Sequence, residues 1–264
     1  NLDSFSGYDV STVGNMTLGD EEPVPVWNVN GISRSGAPWC MDSVIQSHAK
    51  VVGSGCPNYL GCRIKVPSNL NIDFWRSNSN VLTDPQLVDF LEFGWPLGYE
   101  RSDLPKSFGS NHKGATAFPH HIEAYLSNEV RLGSTIGPFV SNPLDLPLTL
   151  SPLNSVEKRE PGARRIILDL SCPRGHSVND GIPKGSYLGE DFKLAYPTID
   201  SLLDMVRTKG RGCLLFKRDL RRAYRQIPVD PGDLHLLGYK WGDQLFIDRT
   251  IAMGARTGAL MCQR

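Results

Sequence analysis

Apolar side chains recur at helical spacing in three stretches of this chain and cluster at strand spacing in others. Leu87, Val88 and Leu91 make a short stripe after Asp84-Pro85, an acid and a proline of the kind that opens a helix, and Gly94 stops it. Ile122, Leu126 and Val130 share one face of a second helix, predicted from Pro119 to Leu132 with Gly133 as its stop. Ile199, Leu202, Leu203 and Val206 follow the i, i+3, i+4, i+7 rule behind Thr198, an N-cap residue, and Lys209-Gly210 closes that helix.

Arg164 to Leu170 reads as a strand, with Lys158-Arg159-Glu160-Pro161-Gly162 as a hairpin turn before it. Leu214 to Asp219 reads as another strand. Leu236 to Trp241 and Gln244 to Asp248 form a hairpin across Gly242-Asp243. Pro138 to Pro152 is punctuated by prolines and expected to be extended. Residues 1 to about 60, rich in Gly, Ser, Asn and Val without a sustained period, are expected to be irregular or disordered, with order starting near Tyr59. Helices and strands alternate without a βαβ rhythm, so the expected class is α+β with an antiparallel sheet. The organisation that follows is 1–60 irregular, 61–150 helical and extended, and 151–264 as the part carrying the chemistry.

A chain of 264 residues with 40% hydrophobic and 21% charged residues can bury a sizeable core. No run approaches the roughly 20 apolar residues that cross a bilayer, and the start carries no signal peptide, so an intracellular, non-secreted protein with no membrane partner is expected. Six scattered cysteines fit reduced thiols in that setting. The net charge of zero conceals a local excess: from Met205 to Arg225 there are eight bases and one acid, Asp219. A basic field around one carboxylate suits a polyanionic partner, although a solvated charged face has the same composition.

Asp219 ends the apolar run Cys213-Leu214-Leu215-Phe216 after Lys217-Arg218, and Ala223-Tyr224 follows it. Phosphoryl transfer to a growing nucleic acid needs hard cations bridged by carboxylates, and a carboxylate at a strand end reaches an open cleft while being held rigidly. Tyr224 could floor a sugar site and exclude a 2′-hydroxyl. On spacing alone, an aspartate at a strand end is common and need not be catalytic.

Asp219-x-x-x-Ala223-Tyr224-x-Gln226-Ile227-Pro228 closely resembles the first catalytic motif of reverse transcriptases. Arg165-Ile166-Ile167-Leu168-Asp169-Leu170-Ser171 resembles that family's fingers strand, and Ile251-Ala252-Met253-Gly254-Ala255-Arg256 its glycine-centred loop. Pro138-Phe139, Leu168 to Gly175, Ser177-Val178-Asn179-Asp180-Gly181, Asp230-Pro231-Gly232-Asp233, Leu70 to Trp75 and Leu91 to Leu97 resemble, more narrowly, the enzymes of tyrosine-recombinase retrotransposons of the DIRS and Ngaro kind. The resemblance runs in order over roughly residues 60–264.

It implies an incomplete right-hand polymerase fold, with fingers and the first part of an antiparallel palm behind a partly irregular N-terminal extension. It implies RNA-directed DNA synthesis with Mg²⁺, deoxynucleoside triphosphates and a primed RNA or DNA template. Asp219 would bind metal, Lys158 and Arg165 the triphosphate, Tyr224 the sugar, and Gly254 would allow backbone approach to the nucleotide. Asp169 would be structural. Arg221, Arg222 and Arg225 flank Asp219 on an expected helical turn and could contact nucleic-acid phosphate; solvent-facing charge pairs are the other reading.

Two departures qualify the expectation. Ala252-Met253 stands where the family has Pro-Phe, and the Tyr-x-Asp-Asp hairpin that supplies the other metal carboxylates does not occur among the 264 residues. One aspartate does not hold two magnesium ions against their hydration, so the chain alone is expected to be inactive. The alternatives are a non-catalytic, transposon-derived nucleic-acid-binding remnant, or a different two-metal nuclease or transferase, for which no second acidic motif occurs within 151–264. Cys40, His48, Cys56 and Cys62 miss the close pairs of zinc sites and are read as unpaired, and His120-His121 as surface polar.

Overall fold

The structure, a computed structural model, describes residues 65–264. The expected irregular segment 1–60, the expected onset of order near Tyr59, and Cys40, His48, Cys56 and Cys62 lie outside the described residues.

In chain order the elements are α1 (Ile72–Ser77), α2 (Leu87–Phe93), α3 (Lys113–Thr116), α4 (Pro119–Arg131), β1 (Thr135–Phe139), β2 (Leu153–Glu157), β3 (Arg164–Leu168), β4 (Ser186–Tyr187), β5 (Glu190–Asp191), α5 (Ile199–Lys209), β6 (Gly238–Trp241), β7 (Gln244–Asp248) and α6 (Gly258–Gln263). The strands form a three-stranded sheet ordered β1-β7-β6, the hairpin β2-β3 and the small ribbon β4-β5, and the pairing within each is antiparallel. The class is α+β with antiparallel sheets, as the hydrophobic pattern predicts. No helix among the described residues is long and apolar enough to cross a membrane.

Local chemistry explains most of the boundaries. Pro119 occupies the first turn of α4, and Ile122, Leu126 and Glu129 share its buried face. Thr198 caps α5 with a reciprocal bond to Ser201. Gly242, at φ 59°, makes the tight turn between β6 and β7. Asp84 does not cap α2 directly. Its Oδ1 accepts from the Gln86 amide at 2.9 Å, forming a turn, and the helix proper begins at Leu87.

Strand β1 lies in a stretch whose Gly-Pro dipeptide argues against a strand. It survives because it is an edge strand, where a missing amide costs no ladder bond, and its register shifts between Ile136 and Phe139.

One buried core runs through both the early and late parts of the chain. Trp95, Leu97, Ile122, Leu153, Tyr239 and Ile247 are among its fully buried side chains. Segment 94–97 threads its centre. The Trp95 amide donates to the Pro228 carbonyl at 2.8 Å, the Asp230 amide to the Trp95 carbonyl at 2.8 Å, and the Leu97 amide to Asp233 Oδ2 at 2.7 Å. Gly94 permits this approach: at φ +99° its absent Cβ would sit 2.6 Å from both the Asp230 Cα and the Val229 carbonyl oxygen. Gly94→Ala is therefore expected to cost about 3 kcal/mol in urea unfolding, because backbone on both sides must yield. Gly133→Ala, also at positive φ but with nothing within 4 Å, should cost only about 1 kcal/mol. Equal losses at the two positions would show that the contact at Gly94 is easily relaxed.

The strand expected over Leu214–Asp219 does not form. The segment has no regular secondary structure, no described strand pairs with it, and Leu214, Phe216 and Leu220 are 95%, 90% and 70% exposed. A strand exists through its ladder, and an apolar run without a neighbour has neither hydrogen-bond partners nor a covered face. Helix α5 shares this condition. It forms with the expected stripe, yet Ile199, Leu202 and Leu203 all remain exposed.

Candidate nucleotide-binding site

The β2-β3 hairpin separates two adjacent arginines by the period of a strand. In its register Val156 lies opposite Arg165 and Glu157 opposite Arg164, and the Lys158 amide extends the ladder by donating to the Ala163 carbonyl at 2.8 Å. Alternation puts Val156, Lys158 and Arg165 on one face and Arg164 on the other. Arg164 is held there. Its Nε donates to Ser155 Oγ at 2.8 Å and its guanidinium lies 3.6 Å over the centre of the Phe118 ring.

Lys158 and Arg165 have no such partners among the described residues. They line a shallow cavity of about 430 Å³, together with Val156, Glu157, Arg159 and Glu160. Three bases against two acids leave it net positive. A lysine supplies a mobile point charge and an arginine a planar fork, a combination suited to the oxygens of a polyphosphate.

Behind the hairpin, the loop containing Gly254 touches the end of β3. Gly254 has φ +122°, and a Cβ there would lie 2.8 Å from the Leu168 carbonyl oxygen, so only glycine fits without strain. Asn179 holds the loop in place. Its Nδ2 donates to the Gly254 carbonyl and to Ser171 Oγ, both at 2.8 Å, and its Oδ1 accepts from the Arg256 amide at 2.9 Å. Asn179 occurs in one of the motifs that carry the resemblance, but its clamping role is not legible there. The signal is its burial, which only the fold displays. Ala252, which stands in place of a larger residue in the resembling family, is fully buried beside Ile251.

Tyr224 lies in a 3-10 turn over Ala223–Gln226. Its ring packs on the start of α6, where a Cβ on Gly258 would come within 2.8 Å of the Tyr224 Cε1. Burial, with Cys262 and Tyr196 nearby, pushes its hydroxyl above the usual tyrosine range. Asp219 precedes this turn and is exposed.

The three arginines after Asp219 separate by fate. Arg221 is exposed, and its carbonyl accepts from Gln226 Nε2 at 2.6 Å. Arg222, at φ 57°, directs Nη2 to Glu129 Oε2 at 2.7 Å and to Ser134 Oγ at 2.8 Å. Arg225 pairs with buried Asp248 at 2.7 Å, lies 3.6 Å from Glu129 Oε2 and donates to the Tyr125 hydroxyl. Burial would lower the Arg225 pKa, but Asp248, with Tyr125, Tyr239 and Glu129, holds it above the ordinary arginine value. Both guanidinium groups bind inside the protein, because α4 and β7 bring carboxylates to them that lie far off in sequence. Of the three expected phosphate contacts, only Arg221 faces solvent with its guanidinium free of such a pair.

A magnesium site of the kind the resemblance implies needs several carboxylates to converge. No group of three His, Cys, Asp or Glu ligands among the described residues includes Asp219. The carboxylate present does not by itself make a two-metal site.

No family model matches the chain, and no curated protein matches it. Among solved structures it is similar to the native protease-reverse transcriptase of Prototype Foamy Virus, at 16% identity and TM-score 0.40, over 76% of this chain and 26% of that one. It is also similar to the foamy viral protease-reverse transcriptase in complex with an RNA/DNA hybrid, at 15% identity and TM-score 0.41, over 74% of this chain and 24% of that one. The same foamy viral protein in complex with dsDNA is similar at 13% identity and TM-score 0.38, over 74% of this chain and 40% of that one. The chain thus spans between about a quarter and two fifths of these solved chains.

Proposed function

We propose that this chain is the nucleotide-gripping part of an RNA-directed DNA polymerase of the tyrosine-recombinase retrotransposon kind, comprising fingers and the beginning of a palm. The observation that carries the reading is the hairpin register, which puts Lys158 and Arg165 together on one open face and turns Arg164 away. In this reading those two side chains hold the triphosphate of a deoxynucleotide, and the Tyr224 ring lies along the sugar. Gly254 leaves room for close backbone approach. Asp219 is the metal-binding carboxylate of the parent enzyme and the partner is a primed template. Magnesium would supply charge neutralisation at the phosphates when the remaining carboxylates are present.

The test is binding of a fluorescent deoxynucleoside triphosphate to the full chain. Each charge-assisted contact is worth roughly 1.5–3 kcal/mol. Lys158→Ala and Arg165→Ala should therefore each weaken binding by about tenfold or more, while Arg131→Ala, on the exposed side of α4, leaves it unchanged. The corresponding nucleoside should not compete. Binding that is indifferent to Arg165→Ala would sink the proposal, as would an absence of binding by the unaltered chain.

Because Asp219 stands in no three-ligand group, a second reading is retained: nucleic-acid binding without catalysis. It expects association with a primer–template duplex in the absence of metal, with a salt slope that falls by about one unit in Arg221→Ala. Nucleotide incorporation by the chain that disappears in Asp219→Ala would count against this reading and against inactivity of the chain alone.

A further inference from the structure

We propose that His112, Asp169 and Cys172 form a binding site for a transition-metal ion of the zinc class. One ligand atom from each lies within 4.8 Å of the other two, and all three residues are half-buried. A tetrahedral zinc ion with bonds of about 2.0–2.3 Å spaces its donor atoms roughly 3.5 Å apart, so the three atoms converge with only small side-chain adjustments. His112 Nε2 and Asp169 Oδ2 are already 2.9 Å apart. A histidine–aspartate pair would by itself explain those two residues, but not the thiol beside them.

The donors rest on backbone that is fixed independently of any ion. The His112 amide donates to the Leu153 carbonyl at 3.0 Å and the Asp169 amide to the Pro152 carbonyl at 2.9 Å, so both residues are pinned to the start of β2. Asp169 Oδ1 accepts from the Ser171 amide at 3.1 Å, and the Asp169 carbonyl accepts from the Cys172 amide at 3.3 Å, which folds the thiol back toward the carboxylate. The Phe108 ring stacks near His112 with centroids 6.5 Å apart. All three residues are only half-buried, so water can complete four-coordination.

The donor set decides the metal class. Imidazole nitrogen and thiolate sulfur beside one carboxylate suit zinc and its neighbours, whereas magnesium prefers oxygen alone. Coordination would form a metal–sulfur bond and release the Cys172 thiol proton to solvent. The ion would link the 108–112 segment to the end of β3 and the following turn, next to Ser171 and through it Asn179 and Gly254. Its expected role is to stiffen the support of the glycine loop.

The test is cobalt(II) titration of the full chain. Cys40, Cys56 and Cys62 are first replaced by serine, because their thiols would add signals of their own. The expected result is one equivalent of cobalt with a thiolate charge-transfer band in the near ultraviolet, displaced by zinc and indifferent to excess magnesium. Cys172→Ser and His112→Ala should abolish the band, and Asp169→Asn should weaken binding at least about tenfold. Cys213→Ser and Cys262→Ser should leave it intact. Circular dichroism of Cys172→Ser, which keeps a hydroxyl in the thiol's place, separates loss of the metal from loss of the fold. No saturable band, or one that survives Cys172→Ser in a folded chain, overturns the proposal.

Discussion

Arg225→Ala is expected to destabilise the chain by about 3–5 kcal/mol, because it removes one partner of a buried ion pair and leaves the other charged. Asp248 is fully buried, and its Oδ1 accepts from Thr135 Oγ1 at 2.6 Å and from the Tyr239 hydroxyl at 3.1 Å. Those bonds hold the carboxylate where no water reaches it, so without Arg225 its charge is left uncompensated. Glu129 loses support as well, although Arg222 still pairs with it at 2.7 Å. The network joins α4, β1, β6, β7 and the turn after Asp219, so its loss should loosen Tyr224 as well as lower the unfolding midpoint in urea. Arg225→Lys should recover only part of the loss, since an ammonium cannot span Asp248, Glu129 and Tyr125 at once. The double substitution Arg225→Met with Asp248→Leu should be less damaging than Arg225→Ala alone, because it removes both charges. A loss below about 1 kcal/mol in Arg225→Ala would mean that the ion pair does not hold these elements together.

Asp233→Asn is expected to stabilise the chain at pH 8 and to do nothing near pH 4. Burial pushes the Asp233 carboxyl up to about 7; Asp230 adds to the rise, and the hydrogen bond from the Leu97 amide opposes it. A carboxyl whose folded pKa exceeds its unfolded value of about 4 takes up protons on folding between those two limits. Its contribution is fully present below about pH 4, is lost as the pH rises toward about 7, and does not change above that. A rise from about 4 to about 7 corresponds to about 4 kcal/mol at most, and about 2 kcal/mol is the better expectation because Asp233 keeps some contact with solvent. Asparagine retains an oxygen for the Leu97 amide without the charge. Comparing urea unfolding of the two chains across pH isolates this group from the other carboxylates. A difference that stays constant from pH 4 to pH 8 would refute the assignment.

Both predictions depend on pairings that the linear pattern does not display. The stripe of α4 is visible in sequence as Ile122, Leu126 and Val130, yet the third residue on its buried face is Glu129. A glutamate at a core position is legible only once Arg222 and Arg225 are known to meet it, from more than ninety residues away. The same arginines, read in one dimension, look like a phosphate-binding cluster. Strand β1 is hidden for a related reason: glycine and proline weaken a strand in isolation, and only β7 beside it supplies the ladder.

Elements whose signals are local can be read from the chain alone. Capping at Thr198, proline entry at Pro119, the turn at Gly242 and the hairpin around Lys158–Ala163 all follow from side chains within a few residues of one another. Strand alternation likewise makes the separation of Arg164 from Arg165 readable from the chain alone. Tertiary structure decided which charges are buried, which apolar runs are covered and which donors converge. Leu214–Asp219 has a strand's composition but no paired neighbour, and His112 meets Asp169 only because both bond to the backbone at the start of β2, with Cys172 brought in by the turn after β3. The physical reason is that a cap or a turn is an interaction between near neighbours. Burial, pairing and coordination are properties of groups that the chain brings together only when it folds.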